Sequence, residues 1–186
     1  MMKDPQRITL CGMGGQGIIL SAVILGTAAV THGKKYAVQT QSYGSEARGG
    51  QCQAELIIDS KPINSPVAQQ KDLLLAMFQE AYEKYIDTLA PDGILVYDPD
   101  LVTSLIDHPC AHSFAVPATQ IAVDLGNRMA ANMVMLGFLS EALGMVSHEA
   151  LVETVRENVS SRFVDLNLKA VAAGAAYAKE HSLTLS

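Results

Sequence analysis

The residues best suited to chemistry form a glycine-rich loop at positions 12–17, which reads Gly-Met-Gly-Gly-Gln-Gly. Residues 8–11 before it have the length and composition of a buried strand, and residues 18–25 after it continue as an apolar helix. Glycines let a phosphate approach the backbone closely, and the free N–H groups and positive dipole end of the following helix attract an anion. The sequence therefore predicts an anion-binding loop with these candidate residues: Gly12, Gly14, Gly15, Gln16 and Gly17.

The glycine spacing also matches a dinucleotide fingerprint, but other parts of that site are missing. In dinucleotide folds an acidic residue at the end of the second strand holds the ribose hydroxyls, whereas here no Asp or Glu occurs between residue 37 and Glu46. Ile18 and Ile19 stand where a nucleoside triphosphate loop carries its lysine, so ATP hydrolysis is not expected. Two interpretations stay open, a backbone cradle for phosphate or pyrophosphate and a tight turn alone.

A second loop, at residues 41–50, reads Gln-Ser-Tyr-Gly-Ser-Glu-Ala-Arg-Gly-Gly. Arg48 among small residues suits paired hydrogen bonds to a carboxylate or phosphate, although an ion pair with Glu46 and a packed Tyr43 ring are the structural alternatives. The loop follows the second predicted strand, so in a parallel sheet it lies at the same carboxyl edge as the glycine loop. The two loops together predict a surface for a ligand or a partner chain, with these further candidate residues: Tyr43, Gly44, Ser45, Arg48 and Gly49.

The composition limits the class of protein. The 186 residues carry a net charge of −6, so no basic field draws the chain to nucleic acid or to a membrane surface. No apolar run is long enough to span a bilayer and the first residues do not resemble a signal peptide, which predicts the cytoplasm. Charged residues make up only 17%, which is low for a free-standing monomer and indicates a covered surface or a buried sheet.

The spacing of the cysteines and of two histidines does not indicate a disulfide framework, a cluster or a metal site. Cys11, Cys52 and Cys110 are far apart and odd in number, so neither a disulfide framework nor a set of cluster ligands is expected. His108, Cys110 and His112 have an alternating spacing, but a proline interrupts them and no fourth ligand is evident. We therefore predict no metal site on this chain.

Several polar residues near the predicted carboxyl edge are expected to shape the backbone. Asp98 and Asp100 flank a proline after an apolar run, which predicts a turn cap or, alternatively, carboxylates that face the site. Asn127 and Arg128 interrupt a predicted helix, and Asn132 is expected to be a polar interruption on a helix that packs against a partner. None of these residues is assigned a catalytic role.

Strands and helices alternate along the chain. This alternation favours an α/β fold with three layers, α/β/α, and a mostly parallel sheet that begins with a Rossmann-like strand, glycine loop and helix. One domain over residues 1–186 is expected. Strands are predicted at residues 8–11, 35–40, 51–58, 72–77, 93–97 and 112–116. Further helices are predicted at 80–89, at 119–143 with a break near Gly126, at 147–158 with Ser147 as the N-cap, and at 166–181.

The two loops together resemble those of the gamma subunit of 2-oxoacid:ferredoxin oxidoreductases. The resemblance rests on residues 12–17 and 41–50 and on Ala-Glu-Leu-Ile-Ile at residues 54–58. Asn-Met-Val-Met-Leu-Gly at residues 132–137 is similar to the family as well, so the resemblance covers nearly the whole chain. The second loop resembles that of 2-oxoglutarate and branched-chain members more than that of pyruvate members.

The resemblance implies a multi-subunit enzyme that converts a 2-oxoacid, coenzyme A and oxidised ferredoxin to an acyl-CoA, carbon dioxide and reduced ferredoxin. Among the 2-oxoacids it favours 2-oxoglutarate. It implies thiamine-binding alpha and beta subunits and a ferredoxin-like delta subunit, which hold the thiamine diphosphate, the magnesium and the iron–sulfur clusters. This chain shows neither cluster-type cysteine spacing nor a thiamine diphosphate motif. We therefore expect no tightly bound cofactor and no catalytic residue here, only a surface that faces coenzyme A or a partner. The alternative is a stand-alone nucleotide- or CoA-binding α/β protein without redox activity.

Overall fold

The computed structural model describes residues 3–43 and 50–183, and it places a mixed six-stranded sheet at the centre of the fold. The strand order is β2-β3-β1-β4-β5-β6. The strands span these residues: β1 Gln6–Met13, β2 Tyr36–Tyr43, β3 Gln51–Asp59, β4 Lys71–Ala76, β5 Leu89–Tyr97 and β6 His112–Ala115. Four of the candidate residues in the second loop, Gly44, Ser45, Arg48 and Gly49, lie outside the described residues.

Five of the six strands run in one direction, and β3 runs against its two neighbours, β1 and β2. The connection between β2 and β3 comprises only residues 44–50, which is too short for the crossover that parallel neighbours need. The α/β fold predicted from the sequence is confirmed, with a sheet that is mixed because of this one hairpin. β2 still points the same way as β1, so the loop after β2 begins at the predicted edge.

Six helices cover the sheet unequally. They are α1 Ile18–Thr31, α2 Gln79–Tyr85, α3 Ala118–Asp124, α4 Ala131–Leu143, α5 His148–Asn158 and α6 Val164–Glu180. The larger core lies between one sheet face and α1, α3, α4, α5 and α6, and it includes Ile8 and Leu10 of β1. The smaller core lies on the opposite face, where Cys11 of β1 packs near Tyr82 of α2. Both faces of the central strands are therefore buried, which explains the continuous apolar run of β4.

The structure corrects two predicted boundaries. Strand β5 begins at Leu89 rather than at residue 93, so the predicted stop around Pro91 lies inside the strand. The register between β4 and β5 shifts between Lys71 and Leu73, and residues 90–93 have no partner in that ladder, so the missing N–H of Pro91 is not needed. The predicted helix at 80–89 is shorter, ending at Tyr85 before a 3₁₀ turn.

Other local predictions are confirmed. The long helical pattern breaks after α3, and Asn127 caps a 3₁₀ turn before α4 by accepting a hydrogen bond from the Met129 N–H. Ser147 is the N-cap of α5, with its hydroxyl accepting from the Ala150 N–H at 3.1 Å. Both caps satisfy N–H groups that the first turn of a helix leaves without partners.

Candidate functional site

The candidate site lies at the carboxyl edge of the sheet, between the adjacent parallel strands β1 and β4. The chain leaves β1 into α1, on one face of the sheet, and leaves β4 into α2, on the other face. Connections that diverge in this way open a crevice outside the strand ends, which is the usual ligand position in α/β folds. The glycine loop forms one wall of this crevice.

Side-chain contacts fix the shape of the glycine loop. Gln16 Oε1 accepts a hydrogen bond from the Met13 N–H at 2.6 Å, and Gln16 Nε2 donates to the Met77 carbonyl at 2.8 Å. The loop is thereby tied to the end of β4. A Cβ at Gly12 would collide with the side chains of Gln16 and Ile18, so this glycine is needed for packing.

Gly15 and Gly17 both adopt left-handed backbone conformations, with φ values of 98° and 74°. Open space lies in front of Gly15, whereas a Cβ at Gly17 would collide with the Asn132 side chain. Asn132 is buried in α4 and donates to the Gly17 carbonyl and to the Ser21 hydroxyl, each at 3.3 Å. Asn132 was expected to be a polar interruption on a helix that packs against a partner, but α4 is buried within the chain and its Asn132 holds the start of α1.

Hydrogen bonds within the chain already use some of the loop N–H groups that were predicted to bind an anion. The Gly14 N–H donates to the Gly50 carbonyl at 2.9 Å, and the Gln16 N–H donates to the Met13 carbonyl at 3.1 Å. Within the described part of the chain, the N–H groups of Gly15 and Gly17 have no acceptor. Two loop amides and the first turn of α1 therefore remain for a ligand. The bond to Gly50 places this last residue of the predicted second loop against the glycine loop.

A cavity of about 310 Å³ occupies the crevice. Its lining is mainly apolar and includes residues of the glycine loop and one cationic side chain. The lining residues are Met13, Gly14, Gly15, Gln16, Met77, Leu101, Thr119, Arg128, Met129 and Ala131. An apolar pocket with a few convergent polar groups is the usual form of a small-molecule site.

Arg128 is the charged residue of this cavity, and sequence reasoning did not assign it to the site. Its side chain is exposed, and none of the ion pairs found among the described residues includes it. The Asn127 cap holds the 3₁₀ turn that presents it. The interruption of the helical pattern at Gly126-Asn127-Arg128 was the available signal, since a break at the carboxyl edge places a side chain beside the ligand crevice.

Asp98 follows β5 and is fully buried. Its carboxylate accepts from the Thr119 N–H at 2.7 Å and from the Asp100 N–H at 3.0 Å. Burial raises the pKa of Asp98, and these hydrogen bonds oppose that rise only in part. The predicted turn cap is confirmed, and the same carboxylate also caps the start of α3. The Thr119 hydroxyl is buried beside the cavity and has no hydrogen-bond partner among the described residues.

A second cavity of about 410 Å³ lies beyond Met129, along the start of α1 and the segment before α6. Gly15 and Met129 line both cavities. Asn158, Phe163 and several other side chains of mixed polarity complete the second one. The loop at Gly15 therefore separates two adjoining depressions of one surface.

The histidines and cysteines that were interpreted as structural do not line the candidate site. His112 stacks on Phe114 in the edge strand β6, with ring centroids 5.9 Å apart. Among residues 3–43 and 50–183 no three His, Cys, Asp or Glu side chains come together as metal ligands would. Cys11 and Cys52 are buried, and burial raises the pKa of both thiols.

None of the described helices is both long enough and apolar enough to span a membrane.

Comparisons with known proteins agree with this architecture. Residues 7–177 match the family model described as pyruvate ferredoxin/flavodoxin oxidoreductase. The 2-oxoglutarate synthase subunit KorC of Methanothermobacter thermautotrophicus is 42% identical over 180 residues, which are 94% of this chain and 95% of the relative. No comparison supports the stand-alone alternative.

Two solved structures are similar as well. The gamma subunit of a keto/oxoacid ferredoxin oxidoreductase from Geobacter sulfurreducens has a TM-score of 0.82 and 40% identity, and the match covers 94% of this chain and 99% of that chain. The 2-oxoglutarate:ferredoxin oxidoreductase from Magnetococcus marinus, described with 2-oxoglutarate, coenzyme A and succinyl-CoA bound, has a TM-score of 0.85 and 26% identity. That match covers 96% of this chain but only 32% of the Magnetococcus chain. The resemblance predicted from the two loops is confirmed, and the chain belongs to the pyruvate ferredoxin/flavodoxin oxidoreductase family as a gamma-type subunit of a 2-oxoacid:ferredoxin oxidoreductase.

Proposed function

We propose that the chain, as one domain over residues 1–186, serves an oxidoreductase whose 2-oxoacid is 2-oxoglutarate, and that the crevice between β1 and β4 receives part of coenzyme A. The named substrates of the Methanothermobacter and Magnetococcus relatives support the choice of substrates. The observation that carries the proposal is the cavity itself. Its lining brings together the Gly15 N–H, which has no acceptor among residues 3–43 and 50–183, and the exposed Arg128 side chain around a mainly apolar interior.

The chemistry of the lining fits a section of coenzyme A. A pyrophosphate needs N–H donors and a cation, for which the cavity offers the backbone at Gly15 and the side chain of Arg128. The pantetheine arm needs apolar walls, which Met77 and Leu101 provide in the same cavity. A volume of about 310 Å³ holds only a section of so large a ligand, so other surfaces must receive the rest.

Arg48 is the proposed second cation for coenzyme A. Gly50 contacts the glycine loop through its carbonyl, and Arg48 precedes it by two positions in the chain. A pyrophosphate and a 3′-phosphate present more charge than one guanidinium neutralises, which supports a role for both arginines. Tyr43, Gly44, Ser45 and Gly49 are proposed to complete this second loop beside the ligand.

The remaining chemistry belongs to partner chains under this proposal. Thiamine-binding alpha and beta subunits would carry thiamine diphosphate with magnesium, and a ferredoxin-like delta subunit would carry the iron–sulfur clusters to the external ferredoxin. Thiamine diphosphate supplies carbanion stabilisation when bound to its own subunit. We therefore propose that the complex is cytoplasmic. The purified chain alone should be colourless, free of iron and inactive. Bound flavin in the purified chain would contradict this assignment.

The test uses the complex assembled from this chain and the products of its neighbouring genes. We expect CoA-dependent reduction of a low-potential dye, fastest with 2-oxoglutarate in a panel of 2-oxoacids. Arg128→Ala should raise the KM for coenzyme A roughly ten- to a hundredfold, since a hydrogen bond to a charged group contributes about 1.5–3 kcal/mol. Arg48→Ala should act in the same direction.

Arg156→Ala provides the control, because Arg156 is exposed on α5 and pairs with Glu153 instead of lining the crevice. Its KM for coenzyme A should equal that of the unmodified complex. If Arg128→Ala and Arg48→Ala both leave this KM unchanged in intact complexes, the crevice does not receive coenzyme A. If either variant instead breaks up the complex, that arginine belongs to a subunit interface.

A further inference from the structure

The second cavity, which adjoins the start of α1, has a lining of neutral amides and apolar side chains. Its volume is about 410 Å³, which lies in the range of small-molecule sites. None of the described residues around it is charged, and four of them are asparagines: Asn127, Asn132, Asn158 and Asn167. An ion would lose its hydration here without gaining an opposite charge, so this lining favours an uncharged polar group.

Asn132 is the buried member of this group, with 4% of its surface exposed. Its Nδ2 donates to the Gly17 carbonyl and to the Ser21 hydroxyl, which leaves Oδ1 as the other end of the amide. No described residue donates to this oxygen, and it is not among the enclosed side-chain atoms that lack a partner. The oxygen is therefore accessible from the cavity that Asn132 lines, as an acceptor that needs a donor from a ligand.

Asn158 and Asn167 are held by bonds of the same kind. Asn158 Nδ2 donates to the Thr154 carbonyl at 2.9 Å, and Asn167 Nδ2 donates to the Phe163 carbonyl at 2.8 Å. Because a carbonyl only accepts, each bond fixes the Nδ2 end of the amide on the backbone and leaves the Oδ1 end for another donor. Within residues 3–43 and 50–183 neither Oδ1 atom has such a donor. Three asparagines of the cavity thus carry carbonyl oxygens that match N–H groups of a ligand.

Large apolar side chains complete the second cavity. Met129 and Phe163 are 65% and 42% exposed, and Leu20 is 36% exposed. Exposed apolar side chains that cluster around a cavity indicate a binding surface. The thioether of Met129 and the ring of Phe163 both favour contact with a flat aromatic ring. A ligand that combines a flat ring with N–H donors therefore fits this lining.

The second cavity also reaches the glycine loop. Gly15 and Gly17 line it, and the N–H groups of both have no acceptor in the described part of the chain. A phosphate bound at these N–H groups would lie beside the ring site, and a nucleotide joins a phosphate to a flat base in this way. Among the bases, adenine carries an amino group with two N–H donors on its ring. We propose that the second cavity receives the adenine ring of a nucleotide and that Asn158 and Asn167 accept hydrogen bonds from its 6-amino group.

Adenine reaches this cavity from one of two sources, coenzyme A or a separate adenine nucleotide. With coenzyme A as the source, the inference rests on the proposed function and adds the adenine end of the ligand whose pyrophosphate lies in the crevice. The crevice of about 310 Å³ holds only a section of coenzyme A, so an adjoining ring site completes it. With a separate nucleotide as the source, the second cavity is a regulatory site beside the crevice. The recognition of the 6-amino group is the same in both cases.

The 6-amino group provides the test, because inosine diphosphate carries an oxygen where adenosine diphosphate carries this group. Calorimetry measures the binding of each nucleotide to the complex assembled from this chain and its partner subunits. We expect adenosine diphosphate to bind at least about tenfold more tightly, since the oxygen of inosine diphosphate would face asparagine oxygens without a proton between them. Equal binding of the two nucleotides, or no binding of adenosine diphosphate, overturns the inference.

Variants of this chain locate the preference for adenosine diphosphate over inosine diphosphate. Asn158→Leu and Asn167→Leu each remove a carbonyl acceptor at similar volume, and the preference should fall at least about threefold. Asn167→Asp keeps an acceptor oxygen but loses the bond to the Phe163 carbonyl, so it should retain the preference that a purely structural role would not protect. Asn64→Leu is the control, because Asn64 is exposed in the connection between β3 and β4 and lines neither cavity. The melting temperature of each variant checks its folding.

A preference that both leucine variants leave intact arises in another subunit and overturns the assignment. Inhibition kinetics distinguish the two sources of adenine. A rise in the KM for coenzyme A with added adenosine diphosphate assigns the cavity to coenzyme A, whereas binding without such a rise assigns it to a separate nucleotide. The KM test of Arg128→Ala stays independent, because a crevice that does not receive coenzyme A leaves the preference between the two diphosphates unchanged.

Discussion

Gln16 Nε2 donates a hydrogen bond to the Met77 carbonyl over 2.8 Å, and this bond joins the glycine loop after β1 to the end of β4. The other end of the same amide accepts from the Met13 N–H. One side chain thus fixes the two strand ends that border the crevice. The loop is held in shape by the protein itself, which lowers the ordering cost of binding.

Gln16→Ala removes both hydrogen bonds and leaves the Met77 carbonyl without this donor. We expect the free energy of unfolding to fall by about 1–3 kcal/mol, because a part-buried polar group loses its partner. Urea unfolding of the isolated chain measures this change. Gln120→Ala is the control, since among the described residues Gln120 bonds only to Asp124 on the exposed side of α3, and its loss should be nearly neutral. Equal stability of the two variants would refute the role of Gln16.

Gly17 and Asn132 should be energetically coupled. Gly17→Ala forces a side chain into a left-handed backbone conformation and against the Asn132 amide, so it should destabilise the chain by more than the roughly 1 kcal/mol of conformational strain. Asn132→Ala removes the obstacle together with its hydrogen bonds. The double variant should therefore be more stable than the sum of the single effects predicts, by roughly 0.5–3 kcal/mol. Strictly additive effects in a double-mutant cycle would show that the two residues do not interact.

Gly174→Ala should destabilise the chain, although alanine normally favours a helix by about 0.5–1 kcal/mol over glycine. A Cβ at Gly174 would collide with the Val134 carbonyl of the facing helix α4, and backbone cannot move aside as a side chain can. We expect a loss of about 1–3 kcal/mol in thermal or urea unfolding. Gly26→Ala in α1 is the matched control, because its Cβ would meet a flexible Leu56 methyl at 3.2 Å. A stabilising effect of Gly174→Ala would contradict the close packing of α4 and α6.

Asp98 should contribute a pH-dependent component to stability. Burial raises the pKa of Asp98 above its ordinary value of 3.8, so in the pH range between the two values the folded chain binds a proton that the unfolded chain releases. The contribution of Asp98 is therefore most favourable below 3.8 and declines as the pH rises toward the folded pKa. Asp98→Asn does not titrate. The stability of the unmodified chain relative to this variant should fall as the pH rises from 3.8 through the raised pKa of the folded chain, and a constant difference would contradict the raised pKa.

Local patterns in the sequence were sufficient for much of the fold and for the family. The strand, glycine loop and helix at the start of the chain depend on neighbouring residues, and so do the Ser147 cap and the break before Arg128. The glycine composition of the first loop predicts an anion-binding backbone, but it does not reveal which of the backbone N–H groups are already hydrogen-bonded within the chain. Gly14 and Gln16 use their N–H groups within the chain, and Gly12 serves packing.

The sequence by itself determined the α/β alternation, the two loops and the family, because these follow from short-range periodicity and from motifs in a fixed order. Only the tertiary structure decided that Arg128 lines the same cavity as the glycine loop, that Asn132 holds Gly17, and that apolar side chains of α1 stay exposed. Each of these depends on packing between segments far apart in the chain, which no local pattern encodes. The spacing of apolar residues predicts that a helix has an apolar face. Only the packed core shows which apolar side chains remain exposed to solvent.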